Sequence, residues 1–251
     1  MKKIFLTIAI ITVFSSVVFA APVNNMVSGD REEYGLKITV EGDFISEREL
    51  DMPNESVDLE ANFYEAKIAC SITDRIDIYA LLGSIKDTQV TEKEISNTYK
   101  YFFDDDFAWG FGASVLVHEF ENGLRIDADG KYRAAAVDLI EIDLNGTKYS
   151  ITDISEIAGN YKEWQLSLGM AKEFGEIVKF IPYAGIKYSD VEVQAKGTVG
   201  GTTYQTNNVN SKDTVGCYAG AEIAFNDNLS LYAEGRFIDE TAVSTGFTWK
   251  F

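Results

Sequence analysis

The 251-residue sequence has two cysteines, three prolines and one histidine. Two cysteines frame neither a disulfide scaffold nor a Cys-rich zinc site. Few prolines and no low-complexity tract exclude collagen-like and wholly disordered chains. Basic residues are scarce: 22 Lys and Arg face 40 Asp and Glu, a formal charge of −18. That balance excludes nucleic acid as a partner, because phosphate binding needs clustered Lys and Arg. Beyond the N-terminus no stretch approaches the roughly 18 apolar residues of a membrane-spanning helix. No Gly-rich phosphate loop, zinc-ligand spacing or nucleophile elbow is found, so no cofactor is expected.

What is present is aromatic. Sixteen Phe, 13 Tyr and 3 Trp accompany 20 Gly. Mean hydropathy is −0.08, an ordinary soluble value. Averages hide one class that crosses membranes without long apolar runs, the transmembrane β-barrel. The N-terminus carries an address. Lys2 and Lys3 precede an apolar stretch from Ile4 to Phe19, and Val18-Phe19-Ala20 offers a small-residue cleavage site before Ala21. This reads as a cleaved secretory signal peptide over 1–20. An uncleaved anchor is the alternative, but the run is short for one. The mature chain then has 20 bases against 40 acids. Residues 21–33 read as a periplasmic N-terminal segment and 34–251 as the barrel.

From Ala21 onward the dominant period is two, in about ten segments of roughly ten residues. The first places Tyr34, Leu36, Ile38 and Val40 opposite Lys37, Thr39 and Glu41. The second sets Tyr64, Ala66, Ile68 and Cys70 against Glu65 and Lys67. Its upper part, Val57, Leu59, Ala61 and Phe63, runs on the other parity, which predicts a bulge near Phe63-Tyr64. The third sets Ile76, Ile78 and Leu82 against Asp77 and Tyr79, and the fourth Phe107, Trp109 and Phe111 against Gly110, Gly112 and Ser114. In the fifth, Leu124, Ile126, Ala128 and Tyr132 alternate with Arg125, Asp127, Asp129, Lys131 and Arg133. The sixth sets Trp164, Leu166 and Leu168 against Glu163, Gln165 and Ser167, and the seventh Phe180, Pro182 and Ile186 against Tyr183 and Lys187. The last three bring Glu222, Glu234, Arg236 and Lys250 to the polar face. Tight connections at 73–75, 121–122, 174–178 and 226–228 alternate with long ones at 45–55, 87–106, 136–160 and 190–213. Only the last, 239–241, is short. Asn145-Gly146 and Gly200-Gly201 predict hairpins within two of the long ones. Short turns on one side and long loops on the other mark an outer-membrane barrel with both termini periplasmic.

The Phe180-Ile181-Pro182-Tyr183-Ala184-Gly185 block, the Asp227-to-Ala233 turn-and-strand and the last strand together resemble the OmpA/OmpX/Opa-type, porin-like family of small outer-membrane β-barrels. The resemblance covers essentially the whole mature chain. It implies an all-β, antiparallel up-and-down barrel of about ten strands, eight being the alternative. It also implies a monomer in contact with lipid and lipopolysaccharide, and delivery by the barrel assembly machinery. Phe247, Trp249 and the terminal Phe251 are similar to the signal such barrels present to that machinery. The chain departs from OmpA in lacking a C-terminal peptidoglycan-binding domain.

Barrel parity assigns a lumen of Lys37, Glu41, Glu65, Lys67, Asp77, Arg125, Asp127, Asp129, Lys131, Arg133, Glu163, Lys187, Glu222, Glu234, Arg236 and Lys250. That is eight acids and eight bases, expected to cross-link and plug an interior of this size. A small-solute or ion porin, with those charges as a filter, is the rival. A protease or lipid-modifying hydrolase is a further rival, but the lone His118 falls near a periplasmic turn, far from the outer rim. Cys70 and Cys217 lie strands apart, too far for a bridge. Asp104, Asp105 and Asp106 are a weak divalent-cation candidate without ligand spacing. The five expected loops hold 20 acids and 6 bases, so most of the negative charge is assigned to the outer surface, where divalent cations are possible partners. The expected role is non-enzymatic, in envelope structure or surface interaction.

Overall fold

The computed structural model describes residues 35–52, 55–150, 157–199, 202–205 and 209–251. The expected signal peptide and 21–33 segment, Tyr34 and the expected Gly200-Gly201 hairpin turn lie outside the described residues. Fourteen strands are present among the described residues: β1 (Leu36–Met52), β2 (Glu55–Ser71), β3 (Ile76–Lys93), β4 (Thr98–Phe103), β5 (Asp106–Glu119), β6 (Leu124–Leu144), β7 (Thr147–Ser150), β8 (Ile157–Lys172), β9 (Lys179–Val199), β10 (Thr202–Gln205), β11 (Val209–Asn210), β12 (Val215–Asn226), β13 (Leu229–Phe237) and β14 (Thr241–Lys250). Ten of them form a ring, β1-β2-β3-β5-β6-β8-β9-β12-β13-β14, which closes where β14 pairs with β1 from Lys37↔Lys250 to Glu47↔Thr241. Every pairing is antiparallel. A closed ring leaves no sheet edge around its waist. The remaining four strands extend the wall: β4 lies between β3 and β6, β7 against β6, and β10 and β11 against β9.

One end has short turns, including Ser71-to-Ile76 and Asn226-to-Leu229; we call it the turn end. The other is the hairpin end. The expected loops there are largely strand. β1 continues to Met52, β3 to Lys93, β6 to Leu144 and β9 to Val199. Asn145 and Gly146, at φ 53° and 88°, make the β6–β7 turn, the left-handed pair that a two-residue hairpin requires.

The reason for this difference is visible in β2. Val57, Leu59, Ala61, Phe63, Glu65 and Lys67 all point inward on one unbroken parity. No bulge falls at Phe63-Tyr64. What changes there is chemistry. Below it, charged groups face in and Tyr64 and Ile68 face out. Above it, apolar groups face in and Ser56, Asp58 and Glu60 face out. A hydrophobic pattern that reverses phase without a backbone defect means that the medium outside the wall changes at that height. The bulges lie in neighbouring strands. In β1 the pairing passes from Ile45↔Ala61 to Arg48↔Leu59, and in β3 the register slips opposite Ala61, with Asp87 at φ 48°.

Side-chain distribution is inverted over the lower part of the ring. Outward Val40 is 64% exposed, Phe111 56% and Ile186 60%, while inward Arg133 and Arg236 are at 0%. On β5 the apolar outer face runs from Phe107 to Val117. That is about 33 Å of strand, or about 25 Å of height at a tilt near 40°. Aromatic rings gather at its upper margin, where Phe44 meets Tyr64 edge-on at 5.2 Å and Trp164 meets Tyr188 at 4.9 Å. At the lower margin Trp249 stacks with Phe251 at 5.9 Å. An exposed apolar band of this extent far exceeds the few hundred Å² tolerated in water.

Candidate functional site

The candidate site is the lumen. Of the sixteen charged residues assigned to it, fourteen are buried, and Arg125 and Lys250 are half-buried at the turn end. They form layers. Nearest the turn end, Lys37 Nζ donates to Asp77 Oδ2 at 2.9 Å. Higher up, tyrosines interleave with carboxylates. The Tyr79 hydroxyl donates to Asp129 at 3.0 Å, and Tyr232 donates to Glu41 Oε2 at 3.0 Å. Lys67 Nζ lies 3.8 Å above the Tyr79 ring. Room for these rings comes from inward glycines: a Cβ at Gly112 would fall 2.3 Å from the Tyr79 hydroxyl.

At the height of the upper aromatic margin the charges join into a crossbar. Arg133, on β6, bonds Glu163 Oε2 through Nη2 at 2.6 Å and Nε at 3.1 Å, and it also grips Asp43 and Glu65. Its guanidinium sits 3.5 Å from the Phe63 ring centroid. Arg48, delivered inward by the β1 bulge, bonds Glu163 Oε1 at 3.1 Å. It also pairs with Asp239 at 3.4 Å and Glu240 at 3.2 Å. Lys187 reaches Asp239 at 2.6 Å and pairs with Glu240, while Arg236 Nε bonds Glu240 at 2.5 Å. Strands β1, β2, β6, β8, β9 and β13 are thereby tied across the interior. Buried charges persist only when so paired, because unpaired ions in a low-dielectric interior are costly.

Sequence reading missed four members of this layer. Asp43 lies one step beyond the expected end of segment one. Arg48 was expected in a loop, and only a bulge turns it inward. Asp239 and Glu240 were expected on the outer surface; they are 2% and 3% exposed. The turn bearing them folds into the barrel, with Ile238 at φ 88° and Asp239 packed over Gly216. With Asp43, Asp239 and Glu240 added to the eight acids and Arg48 to the eight bases, the assigned set among the described residues holds eleven against nine. The expected neutrality is corrected to a small acidic excess.

A second closure lies above the crossbar. Ile45, Leu50, Val57, Leu59, Ala61, Phe63, Ile85, Val137, Tyr161 and Val191 form one apolar cluster inside the hairpin-end wall. Phe63 and Tyr161 pack at 5.3 Å, and the Tyr161 hydroxyl donates down to Glu163 Oε2 at 3.1 Å, joining roof to crossbar.

The other singled-out residues lie apart. His118 is exposed at the turn end, edge-on to Phe120 at 4.5 Å. Cys70 and Cys217 are free thiols on the outer wall. Asp105 pairs with Lys86 at 2.8 Å, and that hydrogen bond lowers the Asp105 pKa. Asp104 accepts from the Asp105 amide and Asp106 from the Phe107 amide, so the three carboxylates serve separate local bonds. Among the described residues no group of three or more His, Cys, Asp or Glu side chains is arranged to hold a metal ion.

The fold and lumen define a closed ten-stranded antiparallel β-barrel with a charged interior. No protein-family model and no curated protein matches the sequence. Among solved structures, the chain is similar to the outer membrane protease OmpT from Escherichia coli at 10% identity and TM-score 0.49, covering 87% of this chain and 94% of that one. It is also similar to the translocator domain of the autotransporter NalP from Neisseria meningitidis at 12% identity and TM-score 0.45, covering 88% and 90%. The outer membrane protein OprG from Pseudomonas aeruginosa shares 11% identity at TM-score 0.41, covering 88% and 97%.

Proposed function

We propose that this is a bacterial outer-membrane β-barrel, exported by a cleaved signal peptide, with a closed lumen and a non-enzymatic role in envelope structure or surface interaction. One observation carries the reading: inside a wall whose lower outer face is apolar, a fully buried salt-bridge crossbar lies directly beneath an apolar roof. The outer face suits hydrocarbon, and a layer of paired charges beneath an apolar layer opposes the passage of solutes. Lipid and lipopolysaccharide are the surroundings this reading assigns. Phe247, Trp249 and Phe251 serve as the signal to the assembly machinery, and the acidic hairpin end is the surface offered to cationic partners. His118, exposed at the turn end, gives hydrolysis no support.

The test is fractionation followed by conductance. The protein is expected to need detergent for extraction, to shift in gel mobility on heating, and to give a silent planar bilayer. Release from membranes without detergent would overturn the location, and reproducible stepwise currents would overturn the closed lumen in favour of a porin. A hydrolytic activity abolished by His118→Ala would overturn the non-enzymatic reading.

A further inference from the structure

The apolar outer wall is not uniformly convex. A groove of about 810 Å³ crosses it over β2, β3, β5, β6 and β8. Its shape follows from register. Phe111, Tyr132 and Trp164 stand side by side on one rung of the sheet, and Ala113, Gly130 and Leu166 on the next. Large rings on the first rung therefore overhang a low floor of Ala113 and Gly130, over which the Leu166 side chain leans, its Cδ2 3.1 Å from where a Gly130 Cβ would sit. Phe111 and Tyr132 pack at 5.6 Å, which holds the upper lip.

From this geometry we infer that the groove retains one acyl chain of a membrane lipid. The inference rests on the membrane reading above, since the groove lies within the apolar band, below the aromatic margin that Trp164 forms with Tyr188. Hydrocarbon is the material at that height. The lining is almost wholly apolar and offers a polar ligand few partners. A second copy of the chain fits poorly. Two-fold symmetry would set concave face against concave face and leave a void, and a head-to-tail contact would not close.

Trp164 is a built-in reporter. The experiment uses a variant with Trp109→Phe and Trp249→Phe, reconstituted with acyl-brominated lipid and then exchanged into bromine-free detergent. A parallel variant keeps Trp249 alone. Trp164 quenching is expected to persist at least fivefold longer than Trp249 quenching. Gly130→Phe, which fills the floor, is expected to abolish the difference; Ala219→Phe, outward on distant β12, is expected to preserve it. Equal recovery of the two tryptophans in a folded, heat-modifiable barrel overturns the groove site. Persistence unaffected by Gly130→Phe does the same. Quenching of neither tryptophan overturns the membrane reading itself. A stable dimer lost on Gly130→Phe would give the groove to a second copy.

Discussion

Arg48 Nη1 and Glu163 Oε1 meet at 3.1 Å from strands five places apart in a ring of ten, so this pair spans the barrel's width with both side chains at 0% exposure. The same guanidinium faces Asp239 and Glu240. Deleting it takes one cationic partner from each of three carboxylates in a dry interior, leaving Asp239 to Lys187, Glu240 to Lys187 and Arg236, and Glu163 to Arg133. Arg48→Met is expected to destabilise the barrel by about 3 kcal/mol, the lower end for a broken buried pair because Arg133 still holds Glu163. Urea unfolding in lipid vesicles, followed by tryptophan fluorescence, measures it. Adding Glu163→Gln is expected to return part of the loss. A loss as small as that of an exposed pair, below about 1 kcal/mol, would mean that water reaches the crossbar.

The height at which β2 reverses its outward chemistry sets a second expectation. Ile68 and Ser56 share a strand and a parity, but Ile68 faces the apolar band and Ser56 lies above it. Ile68→Arg is expected to cost about 2–4 kcal/mol in vesicles, the range for a cation facing lipid. Ser56→Arg is expected to stay within about 0.5 kcal/mol, as for other surface changes. Similar costs at both positions would place the membrane boundary elsewhere.

That reversal also marks the limit of what sequence shows. Within the band, period two gave the strands, their inward faces and the ten-strand count, because lipid outside and charge inside impose one consistent phase. Above it, Val57 to Phe63 keep the same parity with opposite chemistry, so a pattern search meets a phase break and reads a bulge or a loop. Arg48 was illegible for a different reason. Its inward direction depends on Ser46 and Glu47 sharing one opposing residue, a backbone event with no residue signature here. Asp239 and Glu240 sit in a three-residue turn, where polar residues ordinarily meet solvent. The basic cluster around them, Arg48, Lys187 and Arg236 from three strands, draws them in, with the Ser189 hydroxyl donating to Asp239.

Gly216 makes that inward turn possible. A Cβ there would fall 1.8 Å from Asp239 Oδ1 and 2.9 Å from the Phe237 carbonyl oxygen. Gly216→Ala is expected to cost about 1–3 kcal/mol, the usual range for overpacking. Because the carboxylate is the nearer obstacle, the cost is expected to shrink in an Asp239→Ala background, with a coupling of about 0.5 kcal/mol or more. Strict additivity of the two substitutions would show that the turn does not pack on Gly216.

Crossbar and roof close the lumen in series, so opening one layer is expected to leave the barrel silent. Arg48→Ala with Arg133→Ala removes the bridging guanidiniums but leaves Phe63 and Tyr161, at 0% and 1% exposure, in place within the apolar cluster. An ion meets the same dewetted constriction as before. Phe63→Ala with Tyr161→Ala opens the roof but leaves Arg48, Arg133 and Glu163 paired across the barrel. Only the four changes together are expected to yield stepwise planar-bilayer currents, in protein that still shifts in gel mobility on heating. The currents should favour cations, because removing two bases leaves eleven lumen acids against seven bases. Conductance in either double variant would assign closure to that layer alone, and silence in the fourfold variant would place a third obstruction nearer the turn end.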